Sequence, residues 1–205
     1  MISLMPGLHN FPQRSFGSTA KLVNPAHARP GDTLMIACSE QGTAPDDVSF
    51  AEPGRFVILQ HLAASMPSAE ECAGYPQLSV RDVQRLFAKH EFRHVIVCGH
   101  LNCGVIRHWL EPASGAIPDA AAFRERFENG TLSLVDRNYR QTTETQRITI
   151  IICEHVLCQV ENLLTHKFAL DRVLTGKTSF HAWVNDDETA RVYGYNPDNS
   201  AFVAI

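Results

Sequence analysis

The chain has 205 residues and a mass of 22.8 kDa, with 44% hydrophobic and 20% charged residues, a net charge of −4 and a pI near 6.2. A chain of this length buries roughly 70% of its extended surface without staples, and the composition excludes a disordered or fibrous protein. The acidic balance leaves no electrostatic footprint for nucleic acid or an anionic membrane, and no apolar run approaches the roughly 20 residues of a spanning helix.

Met1 to Asn10 lack a basic stretch followed by an apolar one, so no secretory signal is read and a cytoplasmic location is expected. Residues 1–29 carry Pro6, Pro12 and Pro25 among scattered apolar residues and are expected to form a wrapping arm rather than core; residues 30–205 are expected to form one domain. Pro30-Gly31-Asp32 is a turn signal. Thr33 to Ala37 (TLMIA) and Phe56 to Leu59 (FVIL) read as short buried strands, with the polar stretch Ser39 to Gly54 as the loop between them. Met66 to Pro76 reads as a loop. Ser79 to His90 predicts a helix: Ser79 caps it, Asp82 sits in its first turn, and Val80, Val83, Leu86 and Phe87 share a face. Val95 to Cys98 (VIVC) is a third strand, ended by Gly99.

Leu101 to Leu110 starts the next helix and Glu111 to Pro118 is a loop. Ile148 to Thr165 opens with a strand-like ITIII, yet Ile148, Ile151, Ile152, Val156, Val160, Leu163 and Leu164 sustain a helical stripe; length favours helix at least from Cys153 onward. Thr178 to Val184, Arg191 to Tyr195 and Phe202 to Ile205 read as terminal strands. Short apolar strands without alternation, separated by helices, predict an α/β fold with a mostly parallel central β-sheet flanked by helices. Ligands bind such sheets beyond the carboxyl ends of the strands. No Gly-x-Gly-x-x-Gly follows a predicted strand, which argues against a nicotinamide site.

Six cysteines and ten histidines in such a chain read as thiols or metal ligands rather than as a disulfide framework. The first predicted strand runs into Cys38, and the third into Cys98-Gly99-His100, with Cys103 in His-x-x-Cys spacing. If those strands are neighbours, Cys38, His100 and Cys103 converge on one point at the sheet's carboxyl edge. Two thiolates and an imidazole suit Zn2+, and three protein ligands leave a fourth tetrahedral position open, as in a catalytic site. Zinc in that setting lowers the pKa of a bound water to about 7. Cys153 and Cys158 are expected to be core thiols on a helix, and Trp183 a core residue.

These residues resemble the β class of carbonic anhydrases. Ala37-Cys38-Ser39-Glu40 is similar to that family's Cys-x-Asp-Ser-Arg, and Gly99-His100-Leu101-Asn102-Cys103-Gly104 to its Gly-His-x-x-Cys-Gly. Val156, Gln159, Val160, Asn162 and Leu163 match a family helix; Gly176-Lys177, His181, Trp183, Asp186, Thr189 and Val192 resemble its C-terminal strands. The likeness spans about Pro30 to Ile205. It implies a zinc ion on Cys38, His100 and Cys103, a homodimer or higher homo-oligomer, and zinc hydroxide attack on CO2 or a related small electrophile.

Departures cluster at the chemistry. The family's motif aspartate is Glu40, and its arginine partner is Gly42. Without that guanidinium Glu40 has two open roles: a fourth metal ligand that closes the site, or a proton-handling group beside a metal-bound water. Charge favours ligation. Zinc with two thiolates and a ligating carboxylate carries about −1, whereas a hydroxide beside an ionised Glu40 carries about −2 and needs a donor. The family's Arg-Asn-Ala-Gly stretch is replaced by Leu59-Gln60-His61-Leu62, and Val105 stands at the second glycine of Cys-Gly-Gly. The resemblance places Phe56 at a pocket wall, Arg29 at a substrate-contacting position and Arg85 where some members have tyrosine; His61 is a further pocket candidate. CO2 hydration is expected to be weak or lost. The alternatives are a zinc lyase or hydrolase acting on another small carboxylate-bearing substrate, with Arg29 or Arg85 holding it, and a catalytically silent, zinc-stabilised dimer with a binding role.

Overall fold

Six strands make one sheet in the order β2-β1-β3-β4-β5-β6: β1 (Thr33–Cys38), β2 (Phe56–His61), β3 (His94–His100), β4 (Ser179–Asp186), β5 (Arg191–Asn196) and β6 (Ala201–Ala204). This computed structural model describes residues 4, 11, 12, 14, 16, 29–40, 56–73, 78–111 and 118–205. The first four strands pair in parallel, and β5 and β6 complete the sheet antiparallel. The predicted α/β architecture is therefore the observed one.

The continuous apolar runs have a direct cause. Successive side chains of a strand face opposite sides. Leu34, Ile36, Val95 and Val97 enter the main core, while Met35, Ala37, Ile96 and Cys98 enter a second cluster with Phe56, Trp183 and Val192. Both faces are covered, so neither can be polar.

The main face is closed by the long helix α6 (Glu144–Leu164), the sixth after α1 (Ala69–Cys72), α2 (Leu78–Lys89), α3 (Gly104–Leu110), α4 (Pro118–Phe127) and α5 (Ser133–Asn138). Helix α7 (Lys167–Leu174) follows it. Each of the buried α6 residues Ile150, Ile151, Ile152, Leu157 and Leu163 contributes roughly 1.5–3 kcal/mol of burial. The ITIII stretch is helical, not the start of a strand. Thr143 and Gln146 form a reciprocal capping box, which starts the helix four residues before Ile148. Gly99 is dictated by this packing, because a Cβ there would stand 2.6 Å from Cγ2 of Val156.

Other boundaries shift for similar reasons. The stretch expected to be a loop from Met66 holds α1, nucleated by a Ser68–Glu71 capping box. Helix α2 begins at Leu78, so Ser79 lies inside it rather than capping it. Helix α3 begins at Gly104, leaving Leu101 to Cys103 as the connection from β3. Between α4 and α5 runs a π-helical segment, Glu128–Leu132. Of residues 1–29, Phe11 and Phe16 are buried in the main cluster, so these rings add to the core. The backbone N–H groups of Leu4 and Phe11 donate to Phe202 and Ser200 at β6. Buried Arg14 bonds Glu154 (2.6 Å) and Glu161 (2.9 Å) on α6. Gly42, Pro45, Pro53 and Gly54 lie outside the described residues. Among the described residues no single helix is long and apolar enough to cross a membrane.

Helix α6 also pins the turn that follows β2. Ala63 and Ala64 both have positive φ, 51° and 54°, a region that disfavours residues with a Cβ by roughly 1–2 kcal/mol each. His155 donates from Nε2 to the Ala63 carbonyl (3.0 Å), the Met66 N–H donates to Gln159 (2.8 Å), and Asn162 donates to the Met66 carbonyl (2.8 Å). These bonds hold the end of β2 beside the end of β1.

Candidate metal centre

Strand β1 lies between β2 and β3, which brings the carboxyl ends of all three together. Ala37 pairs with Cys98, and His100 ends β3 two residues later. The short connection into α3 returns Cys103 to the same point. Donor atoms of Cys38, Glu40, His100 and Cys103 all lie within 4.8 Å of one another. The three cysteine and histidine ligands proposed from the sequence are buried.

The geometry fits a tetrahedral zinc ion. The two sulfurs are 3.8 Å apart, the edge of a tetrahedron with metal–sulfur bonds of about 2.3 Å being about 3.8 Å. Neither cysteine is in a disulfide. Nε2 of His100 is buried with no hydrogen-bond partner, while its Nδ1 donates to Oδ2 of Asp187 at 2.8 Å. That contact keeps the proton on Nδ1 and leaves the Nε2 lone pair to a metal. An orphaned buried nitrogen would otherwise be a net cost.

Electrostatics point the same way. The Cys103 S–H, then His100 and the Glu40 N–H, draw the Cys38 thiol well below its usual range against the opposing pull of burial. The Cys38 thiolate, with burial, pushes Cys103 up. Burial pulls His100 down, but Cys38 and Asp187 together hold it above its ordinary value. Cys98 belongs to the opposite face of the sheet and is no ligand: burial pushes its thiol up to about 12.

The Glu40 carboxylate is held by a backbone N–H rather than by an arginine. The N–H of Val105, in the first turn of α3, donates to Oε2 at 2.8 Å. The N–H of Glu40 itself donates to Cys38 Sγ at 3.4 Å. Gly104 leaves the room: a Cβ there would stand 3.0 Å from Oε2. The donor that charge balance asks for is a backbone amide.

The remaining candidates are distributed. His61 ends β2 as the register partner of Cys38; its Nε2 is buried without a partner, and burial lowers its pKa against the charge of Asp82. Phe56 sits at the other end of β2, opposite Thr33, in the second cluster. Arg29 is exposed and precedes β1, at the end away from Cys38. Arg85 is exposed on α2 and pairs with Asp82 at 3.4 Å. Within one chain Phe56, Arg29 and Arg85 do not join the cluster.

Asp187 is the residue the sequence reading missed. His100 pairs with Asn185 across β3 and β4, and Asn185 donates to the other Asp187 oxygen at 2.8 Å. Neighbouring Asp186, which had drawn attention, only caps the following turn through Glu188 and Thr189. The usable signal was the habit of metal-binding histidines to carry a carboxylate behind them.

The fold and site define an α/β metalloprotein whose Cys-His-Cys set meets at the carboxyl edge of a mostly parallel sheet. The carbonic anhydrase family profile matches residues 33–192, and the chain belongs to the β-carbonic anhydrase family. It is 26% identical over 207 residues to a carbonic anhydrase of Synechocystis sp., covering 100% of this chain and 74% of that one. A Pseudomonas aeruginosa carbonic anhydrase is 22% identical, with 100% and 92% covered. The fold is similar to the β-carbonic anhydrase CcaA, with TM-score 0.78, 24% identity and 87% and 86% coverage. It is also similar to tetrameric β-carbonic anhydrases of Sordaria macrospora, with TM-score 0.68, 15% identity and 81% coverage of each.

Proposed function

We propose that this protein interconverts carbon dioxide and bicarbonate using a zinc ion held by Cys38, His100 and Cys103. The observation that supports this most directly is the convergence of those donors with Glu40 inside 4.8 Å, in a chain of this family. Zinc, when bound, supplies a Lewis acid that lowers the pKa of a coordinated water.

The chain's own residues do the rest. Asp187 orients His100 and sets its tautomer. Val105 fixes one oxygen of Glu40, leaving Oε1 to accept or return a proton. A neutral amide holds a carboxylate less strongly than a guanidinium, so turnover is proposed to run slower than in relatives that keep the aspartate–arginine pair. Stopped-flow CO2 hydration on the zinc-loaded protein tests this. No rate above background in protein with stoichiometric zinc would overturn it.

The other role of Glu40, as fourth ligand, is supported by its place within the donor cluster and would make the site silent. A crystal structure of the zinc-loaded protein at neutral pH separates the two, showing either a Glu40 oxygen or a water in the fourth position. Assembly as a homodimer or higher homo-oligomer is part of the same proposal, and the Sordaria relatives named as tetrameric support it.

A further inference from the structure

At the amino end of the strands, away from the metal centre, lies a cleft of about 450 Å³ lined by residues including Arg93, His94, Arg172, Lys177 and Ser179. His94 opens β3 and His100 closes it, so the two places are separated by the length of one strand, about 20 Å.

Three cations converge here with Glu91 as the one acid in the lining. Arg93, Arg172 and Lys177 form no ion pair among the described residues, which they share with several cations elsewhere, such as Arg81, Arg140 and Arg191; what sets these three apart is that they line one cleft. Arg93 and Lys177 are exposed and Arg172 half-buried, so solvent screens their mutual repulsion, and an anion seated in the cleft would remove what is left of it.

The backbone of the cleft and the Arg172 side chain are held in place. Arg172 is fixed by donating to the Phe87 carbonyl (3.3 Å) and by lying 5.7 Å over the Phe87 ring. Lys177 is placed by a tight turn: Gly176 takes φ +66°, which favours glycine, and the N–H groups of Gly176 and Lys177 donate to Val173 and Arg172. The Ser179 N–H donates to the Arg93 carbonyl at 2.9 Å and ties the two walls together. His94 is braced by His181, ring nitrogens 3.3 Å apart.

We propose that this cleft binds a small molecule carrying adjacent phosphate groups. Two guanidinium forks and an ammonium match vicinal phosphates better than a single carboxylate, and the volume suits a small ligand. A patch this small on an acidic chain does not fit nucleic acid. The inference is independent of the reading of the metal centre.

Calorimetric titration of the zinc-loaded protein with inorganic pyrophosphate, ADP and AMP tests it. Pyrophosphate and ADP are expected to bind saturably and AMP at least about tenfold more weakly, a difference of about 1.4 kcal/mol. Equal pyrophosphate and ADP affinities identify the phosphates as the whole determinant; tighter ADP adds the nucleoside. Lys177→Ala and Arg93→Ala are each expected to weaken pyrophosphate binding about fivefold or more while zinc content and CO2 hydration stay unchanged. Arg172→Gln serves as a third variant. No saturation by about 10 mM at low salt, AMP binding as well as ADP, or binding unchanged in the Arg93→Ala, Lys177→Ala double variant would overturn the assignment.

Discussion

Oδ2 of Asp187 lies 2.8 Å from Nδ1 of His100, and the contact arises because His100 is paired in register with Asn185, two residues before that aspartate. The residue just past the end of β4 therefore sets the tautomer of a ligand at the end of β3. Asp187→Ala should weaken zinc affinity about tenfold to a hundredfold. Asp187→Asn, which keeps a hydrogen-bond acceptor without the charge, should fall between. Competition with a chromophoric chelator measures both. Unchanged affinity in Asp187→Ala would remove the positioning role.

Cys103 shares its site with Cys38 at 3.8 Å; among the described residues no other thiol joins the donor cluster, and Cys98 is turned to the opposite face. Cys103→Ser should lose tightly held zinc and, with it, CO2 hydration. Metal analysis after dialysis and stopped-flow assay should fall together; activity that survives without zinc defeats the proposed mechanism.

Gly104 gives Glu40 its place, with 3.0 Å between a built Cβ and Oε2. Gly104→Ala should displace that carboxylate and lower hydration to the level of Glu40→Gln, with zinc content intact. If Gly104→Ala keeps full activity, the anchored position of Glu40 is irrelevant to turnover.

Gly99→Ala presses a methyl group into Val156, 2.6 Å away. Overpacking of this kind costs about 1–3 kcal/mol. Denaturant unfolding should show that loss, and adding Val156→Ala should recover part of it. Loss without recovery would place the strain elsewhere.

His155 is kept neutral by burial, which lowers its pKa to about 4. The unfolded chain protonates this group near 6.5, so between about pH 6.5 and 4 it binds more protons than the folded protein. Stability should fall as pH drops through that window, by on the order of 3 kcal/mol from this residue. Chemical denaturation at stepped pH should show a shallower slope in His155→Gln; an identical slope would mean another group dominates.

Chain order and residue chemistry were enough to read the α/β class, the strand cores, and Cys38, His100 and Cys103 as a ligand set. Apolar runs report two covered faces, and the His-x-x-Cys spacing is local. Helix α6 was only half legible: its isoleucine-rich opening mimics a strand, and the deciding signal, the Thr143–Gln146 box, is two polar residues. Folding alone could bring Asp187 to His100 and the Val105 amide to Glu40. The first depends on strand register and the second on how a helix start sits against a strand end, and neither leaves a trace in spacing along the chain. The arginine absent at position 42 is visible in the sequence; that a backbone N–H holds the Glu40 carboxylate instead is a fact of three dimensions, because every residue but proline carries one and only packing selects which is aimed at the carboxylate.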